Sequence, residues 1–295
     1  METIKVAVLS DIHGNIVALE EAIKDAKLQN VDKYIVLGDI ITDFPFTDEV
    51  IDIVKKLTPY VIKGNREEYL MHYEQTKNDA VWKTLQHNSV SCYYYHLRED
   101  NKEYIRNLPE NLILEFEGVK IKAVHASPDS ITKLLYFDTP EMDKVFKNLE
   151  EDILVYGHNH RVANYETRGK KTVAQVGPLG MHNNKLGKAQ YTILDCKNRT
   201  VKLEIRTLNY DVNKLKKRIE ENGGTYKEAK LWQNLCYYTV ESGQDIRKEF
   251  GKIAKQEMND KYNGNLPKGI DNHFDSFDDD IYIKVAHQFE KYIVL

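Results

Sequence analysis

The sequence contains little cysteine, no long apolar run and no excess of positive charge. Its three cysteines, Cys92, Cys196 and Cys236, are far apart and form no CxxC pair, which argues against a disulfide framework. No segment approaches the roughly 18 consecutive apolar residues of a membrane span. The first residues show no basic segment followed by an apolar one, so no signal peptide is expected. These absences predict a cytoplasmic protein with reduced thiols and no membrane partner.

The charge balance is mildly acidic, with a formal net charge of −4 over 295 residues. Proteins that bind long nucleic acids through their phosphates usually carry an excess of basic residues. A long nucleic-acid partner is therefore disfavoured, while a small-molecule phosphate such as a nucleotide remains open. The chain is long enough for a large core, and its composition does not indicate an oligomeric state.

The N-terminal pattern alternates between strands and helices. Ile4–Leu9 is apolar and rich in β-branched residues, which predicts a buried strand. Asn15 is a suitable helix cap, and a second apolar run follows at Tyr34–Leu37. The unit repeats with a helix from Thr47 and a predicted third strand at Tyr60–Ile62. This order is typical of an α/β fold with parallel strands.

The remaining chain divides into two helical parts around further strands. Residues 66–108 are helical in pattern and rich in Tyr and His, which predicts a helical cap insertion. The later strands are predicted at Leu112–Phe116, Val119–Val124, Ile153–Tyr156, Val173–Val176, Tyr191–Leu194 and Val201–Ile205, the last three antiparallel. Helices are predicted at 211–222, 226–240, 244–258 and 279–291. We therefore expect a domain at 1–208 and a C-terminal helical appendage at 209–295 packed on it.

Polar residues stand at the end of five of the apolar runs. They are Asp11, His13, Asp39, Asn65, His125, His158 and His160. Because open α/β sheets bind ligands beyond the carboxyl ends of their strands, these side chains should converge. Oxygen and imidazole donors without thiolate suit Mn, Fe, Zn or Ni. Seven donors exceed the need of one ion and suit two ions that share a carboxylate, as in displacement at phosphorus.

The motifs SDIHGN, LGDI, KGNRE, VHAS and YGHNH, in this order, resemble the signature of the calcineurin-like metallophosphoesterase superfamily. They look most like its small bacterial branch of YfcE-type phosphodiesterases and diadenosine tetraphosphatase-like enzymes. The resemblance covers residues 4–208. It implies a four-layer α/β/β/α sandwich of two mixed sheets.

The resemblance also implies a role for each polar residue. Asp11, His13 and His160 would hold the first metal, Asn65, His125 and His158 the second, and Asp39 would bridge them. The implied reaction is hydrolysis of a phosphoester or phosphoanhydride by in-line attack of a metal-bridging hydroxide. The implied cofactors are two divalent transition-metal ions, with Mn and Fe among the candidates.

Arg66 stands where the family often has a histidine that assists the leaving group. An arginine cannot act as a general acid, but it can bind a phosphate through two hydrogen bonds. A phosphate leaving group, with a pKa around 6, needs no proton. We therefore expect Asn65 and Arg66 to act in catalysis and Arg66 to bind substrate. Nucleotide polyphosphates such as diadenosine tetraphosphate are the favoured substrates. The alternatives are a broad-specificity phosphodiesterase or phosphatase and, in another class, a non-catalytic scaffold.

Weaker signals lie outside the main motifs. The loop QVGPLG at Gln175–Gly180 replaces the family's NPGSxG-like turn and is still expected beside the metals. His182, just beyond it, is a candidate substrate contact. Glu67 either supports the metal ligands or simply complements a helix dipole. The basic stretch 214–218 is expected to be a solvated helix face, with an anion or partner site as the alternative.

Overall fold

Two mixed β-sheets packed face to face form the centre of the computed structural model, which describes residues 3–79, 82, 88–182, 188–222, 226–264 and 278–289. The strands are β1 (Ile4–Leu9), β2 (Lys33–Val36), β3 (Asn111–Phe116), β4 (Val119–Val124), β5 (Ile153–Tyr156), β6 (Asn164–Arg168), β7 (Lys171–Gln175), β8 (Lys188–Lys197) and β9 (Thr200–Asn209). The helices are α1 (Ile16–Leu28), α2 (Thr47–Leu57), α3 (Asn65–Thr76), α4 (Asn88–His96), α5 (Glu99–Arg106), α6 (Pro140–Asn148), α7 (Val212–Glu221), α8 (Lys230–Ser242), α9 (Ile246–Lys261) and α10 (Asp279–Gln288).

The strand order is β2-β1-β8-β9 in the first sheet and β3-β4-β5-β7-β6 in the second. In the first sheet β1 runs parallel to β2 and antiparallel to β8. In the second sheet β5 runs parallel to both of its neighbours, β4 and β7. The carboxyl ends of β1 and β2 in one sheet, and of β4 and β5 in the other, are therefore available to build one site.

Three apolar layers hold these sheets and their helices together. Between the sheets, Val6 and Val8 of β1 lie in one cluster with Ile121 of β4 and Val155 of β5. The outer face of the first sheet packs against α1 and α2. The outer face of the second sheet packs against α6, where Met142 is fully buried. This arrangement confirms the four-layer α/β/β/α sandwich.

Two strand predictions need correction, and one strand was missed. Tyr60–Ile62 is not a strand, because only Val61 bridges to Val36 and Pro59 supplies no N–H for a longer ladder. The strand β7 is not purely antiparallel, since it pairs in parallel with β5. The strand β6 was missed, because its sequence NYETR is polar and mostly exposed at the sheet edge.

Helical segments flank the sandwich as the sequence predicts. The insertion contains α3, α4 and α5, and the C-terminal part contains α7 to α10. Leu215 and Ile219 of α7 and Tyr237 of α8 are buried in the same cluster as α1, while α9 and α10 form a cluster of their own with one face of α8. The division into domains at 1–208 and 209–295 stays a prediction. No helix of the described segments has the length and apolarity needed to cross a bilayer.

Candidate metal centre

Four loops at the carboxyl ends of strands carry six of the seven predicted ligands, and Asn65 is the first residue of α3. Asp11 and His13 follow β1, Asp39 follows β2, and both strands belong to the first sheet. His125 follows β4, and the segment 157–160 follows β5, in the second sheet. The site therefore lies where the two sheets meet, as the strand-end argument predicts.

The backbone of these loops is unusual. The residues of the site with positive φ, between 50° and 68°, are Asp11, His13, Asp39, Asp43, His158 and His160. A left-handed backbone conformation is energetically costly for residues other than glycine, and such residues are often found at functional sites. Glycine lets the loops approach, since a Cβ on Gly64 would lie 2.2 Å from Asp39 Oδ1 and one on Gly157 would lie 1.9 Å from Ser10 Oγ.

One group of four side chains forms the first half of the centre. Asp11, His13, Asp39 and His160 each offer a donor atom, and these atoms lie within 4.8 Å of one another. The Nε2 atoms of His13 and His160 are 3.1 Å apart. Asp11 Oδ1 lies 3.4 Å from His160 Nε2. This group contains the three residues that the family resemblance implies for the first metal, together with Asp39, the implied bridge.

A second group forms around His125. Asp39, His125 and His158 offer donor atoms within the same 4.8 Å limit. The amide oxygen of Asn65 lies 3.0 Å from His125 Nε2, so Asn65 stands beside this group. His125 Nδ1 lies 2.7 Å from the Leu37 carbonyl oxygen, which accepts a hydrogen bond from Nδ1–H. The unprotonated Nε2 is therefore the ring nitrogen that can bind a metal.

Buried atoms of the centre match what a cation requires. Asp11 Oδ1 and His160 Nδ1 are buried and have no hydrogen-bond partner. Burial lowers the pKa of His158 to about 3, and the neighbouring His125 adds to this shift. Burial also lowers the pKa of His125, so both imidazoles are neutral at pH 7, the form that binds metals. Carboxylate, amide and imidazole donors together fit divalent transition-metal ions.

Glu67 holds the loop that carries Asp39. This carboxylate is fully buried and accepts the N–H groups of Gly64 at 2.6 Å, Asp39 at 2.8 Å and Ile40 at 2.8 Å. Burial raises its pKa to about 7, with the nearby Asp39 carboxylate adding to the shift. Of the two roles open for Glu67 in the sequence, the contacts favour support of the ligand loop.

Asp43 is a buried neighbour of the centre that the sequence analysis missed. Its Oδ2 lies 3.0 Å from His13 Nδ1 and 3.7 Å from Nη2 of Arg66. The carboxylate is fully buried, which would raise its pKa, but Arg66 and His13 together hold the pKa below its usual value. Asp43 is therefore ionised and lies directly behind one of the proposed ligands.

Two more residues near the centre come from the C-terminal helices. The indole Nε1 of Trp232 in α8 donates to Asp43 Oδ1 at 2.7 Å. Nη1 of Arg247 in α9 lies 3.5 Å from Asp43 Oδ2. No motif marks these residues, because their contact with the loop after β2 spans 189 and 204 positions of sequence. An acid four residues after Asp39 was the sole signal for Asp43.

The loop Gln175–Gly180 lies against the β1 loop as expected, and His182 does not lie among the ligands. Gly180 N donates to the Asp11 carbonyl at 2.8 Å. His182 is fully buried, and its Nε2 is 2.9 Å from the Tyr210 hydroxyl. Its substrate contact stays a prediction that this geometry does not favour. The basic stretch 214–218 is consistent with a solvated face, since Lys214 and Arg218 pair with Glu20.

Comparison with known proteins gives a family for most of the chain. Residues 4–199 match the model of the calcineurin-like phosphoesterase superfamily domain. Uncharacterized protein MJ0912 of Methanocaldococcus jannaschii is 24% identical over 233 residues, which cover 74% of this chain and 92% of that protein.

Solved structures share the fold. A metallophosphoesterase from Sphaerobacter thermophilus is similar with a TM-score of 0.64 and 17% identity, over 81% of this chain and all of that chain. The hypothetical protein PH1004 from Pyrococcus horikoshii OT3 is similar with a TM-score of 0.63 and 22% identity, over 78% of this chain and 97% of that one. At these identities the likeness concerns the fold.

Proposed function

The chain belongs to the calcineurin-like phosphoesterase superfamily and is a metal-dependent phosphoesterase, and from this premise we propose that it works with two divalent transition-metal ions on nucleotide polyphosphates. Asp11, His13 and His160 hold one ion in this proposal. Asn65, His125 and His158 hold the other, and Asp39 contacts both.

The position of Asp39 carries the proposal of two ions. Its Oδ2 lies 3.6 Å from His13 Nε2 of the first group, and its Oδ1 lies 3.4 Å from His125 Nε2 of the second. Each carboxylate oxygen therefore faces a histidine of a different ligand group. A carboxylate in this orientation is suited to bridge two cations.

The chain's own residues provide the rest of the chemistry. Two bound ions would supply a nucleophilic water of lowered pKa and polarise the phosphoryl oxygens. The Asn65 amide stands beside His125. There its oxygen can bind the second ion and its NH₂ group can orient a phosphoryl oxygen of the substrate. Arg66 N donates to Asp39 Oδ1 at 2.8 Å, which places the first turn of α3 at the bridging carboxylate.

Arg66 favours an anhydride over an ester of a poor leaving group. The nearby Asp43 and Asp39 carboxylates raise its pKa although burial opposes them, so it stays charged and cannot donate a proton. Its Nε is buried without a hydrogen-bond partner, which leaves capacity for an anionic group. A departing phosphate needs no protonation. The proposed substrates are therefore nucleotide polyphosphates such as diadenosine tetraphosphate.

A substrate panel with Mn²⁺ tests this proposal. We expect faster turnover of diadenosine polyphosphates than of bis-p-nitrophenyl phosphate, p-nitrophenyl phosphate or cyclic nucleotides. Arg66→Ala should lower kcat/KM for the anhydride by about 10- to 100-fold, because a charged hydrogen bond contributes about 1.5–3 kcal/mol. The matched control is Arg168→Ala, since Arg168 lies in β6 and pairs with Asp143 and Glu166.

The other outcomes separate the alternatives. Similar turnover of all the esters, with no effect of Arg66→Ala, would indicate a broad-specificity phosphodiesterase or phosphatase. No turnover and one bound ion or none per chain would indicate a non-catalytic scaffold and contradict the proposal. The presence of all seven candidate ligands, six in the two groups and Asn65 beside His125, argues against the scaffold. The native metals, the cytoplasmic location and the oligomeric state stay outside this test.

A further inference from the structure

Asp43 is the meeting point of the first ligand group and the C-terminal helices. Its carboxylate is fully buried, and charged or donor groups of five side chains surround it. They belong to His13 at 3.0 Å, Trp232 at 2.7 Å, Thr42 at 3.4 Å, Arg247 at 3.5 Å and Arg66 at 3.7 Å. A buried carboxylate needs such partners, because an unpaired one is strongly destabilising.

The contact with His13 has a chemical meaning. A histidine that binds a metal through one ring nitrogen commonly presents the other to a carboxylate or carbonyl, which fixes the ring and its tautomer. His13 Nε2 faces Asp39 at 3.6 Å. Asp43 Oδ2 faces the opposite nitrogen, Nδ1, at 3.0 Å. The contact is electrostatic, since Nδ1 forms no hydrogen bond. The negative charge of Asp43 beside Nδ1 favours the proton on that nitrogen and leaves Nε2 directed at the ligand group.

The C-terminal helices in turn hold Asp43. Trp232 of α8 donates to Oδ1, as does Thr42, whereas Oδ2 faces His13 and the two arginines. The guanidinium groups of Arg66 and Arg247 each lie 5.9 Å from the centre of the Trp232 ring, within cation–π range. Arg247 is 10% exposed. Trp232 and Arg247 both lie beyond residues 4–199, which match the family domain.

We propose that Asp43 is a positioning residue for His13, and that Trp232 and Arg247 of the C-terminal helices fix Asp43 in place. The C-terminal helices thereby set the metal affinity of the first ligand group. This inference rests on the metal centre of the proposed function, and it gives the segment after residue 209 a role in that centre.

The test is titration of the metal-free full-length protein with Mn²⁺ in a calorimeter. Asp43→Asn and Trp232→Phe should each weaken one of two binding events by about 10- to 100-fold and leave the other unchanged. The matched control is Trp82→Phe, which removes an indole donor to Thr76 in the helical insertion and should leave both events unchanged. Thermal unfolding of each variant shows whether it is folded.

A double variant tests the route through Asp43. Asp43→Asn/Trp232→Phe should bind Mn²⁺ no more weakly than Asp43→Asn alone, because Trp232 acts through the carboxylate. With Co²⁺ as the probe, the visible absorption of one site should change in each single variant. A purely structural role would lower the unfolding temperature without altering this spectrum.

The outcomes distinguish the inference from the function on which it rests. Two Mn²⁺ binding events that are unchanged by Asp43→Asn and Trp232→Phe would overturn the inference and leave the proposed function standing. Additive losses in the double variant would overturn the route from Trp232 through Asp43. Absence of Mn²⁺ binding by the wild-type protein would overturn both proposals.

Discussion

The histidines of the two ligand groups are held in different ways. In the second group, His125 Nδ1 and His158 Nε2 lie 2.7 Å and 3.0 Å from the backbone carbonyls of Leu37 and Thr132. In the first group, His13 Nδ1 faces the side chain of Asp43. Carbonyl partners come with the loops themselves, whereas the carboxylate depends on further side chains. The histidines of the second group are thus held by the backbone, and His13 of the first group is held by a series of side chains that reaches α8 and α9.

The largest effect should come from the residue common to both halves. Asp39→Asn keeps the size of the side chain but removes its negative charge and replaces one of its two oxygens by an NH₂ group, so both ions should bind more weakly. We expect kcat to fall by at least about 10²-fold, the loss found for single groups that stabilise transition-state charge. Steady-state kinetics and the Mn²⁺ content per chain measure this. His72→Ala, an exposed histidine in α3, is the control, and equal losses in the two variants would contradict the bridging role.

Glu67→Gln should damage both halves through the backbone. The Glu67 carboxylate accepts four backbone N–H groups, from Gly64, Asp39, Ile40 and Ile41. A glutamine has a single acceptor oxygen and would turn its NH₂ group toward some of these donors. We expect the free energy of unfolding to fall by about 2–3 kcal/mol, the cost of leaving buried donors unsatisfied. Urea denaturation measures it. The comparison variant is Glu68→Gln, since Glu68 pairs with Lys63 and is 46% exposed; equal losses would contradict the role of Glu67.

The ion pair of Asp25 with Arg206 lies outside both ligand groups and provides a contrast with them. A hydrogen bond from Arg206 has the largest effect on the pKa of Asp25 and lowers it. Burial has the next largest effect and opposes this shift, and a hydrogen bond from Tyr191 lowers the pKa further. An acid with a lowered pKa stabilises the fold above its unfolded-state pKa, and this stability is lost as the pH falls through the folded-state pKa. Asp25→Asn should therefore lower the free energy of unfolding at pH 7 by about 1–2 kcal/mol.

The difference between wild type and Asp25→Asn should then shrink as the pH falls below about 4. Denaturation curves at several pH values measure this difference. Mn²⁺ affinity should not change, in contrast to Asp43→Asn. A difference that grows with acidity would show that the Asp25 pair does not account for the effect.

The smallest effect is expected on the surface of the C-terminal helices. Lys217 pairs with Glu221 one turn along α7, and both are more than half exposed, at 75% and 62%. Lys217→Ala should change the free energy of unfolding by less than about 0.5 kcal/mol and leave Mn²⁺ binding unaltered. A loss of Mn²⁺ affinity here would mean that Trp232 has no special position among the C-terminal residues.

The convergence of the candidate ligands was predictable because their positions follow a local rule. Each stands at the end of an apolar run, and parallel strands bring such ends together. The support behind them was not predictable, because Asp43 meets His13 through a turn with positive φ at Asp43 itself. Trp232 reaches this carboxylate from 189 residues away. Such contacts depend on how helices pack on the finished sandwich, which no spacing in the sequence reports.

One strand prediction was wrong and one strand was missed for a related reason. Apolar runs indicated the buried strands, but Tyr60–Ile62 is apolar and forms a single bridge, while the polar β6 forms a full pairing with β7. An edge strand is recognised by its partner and not by its own hydrophobicity. The first ligand group avoids this ambiguity because glycine and charged residues mark the ends of β1 and β2.

The junction of the sheets bears on the kinetics of folding. His13 and His160 lie 147 residues apart and follow strands of different sheets. The first ligand group can therefore form only after the two sheets have packed together. This is a late step of folding, because contacts between residues that are distant in sequence form slowly. Mn²⁺ should then retard unfolding and leave the refolding rate almost unchanged, as expected for interactions absent from the transition state.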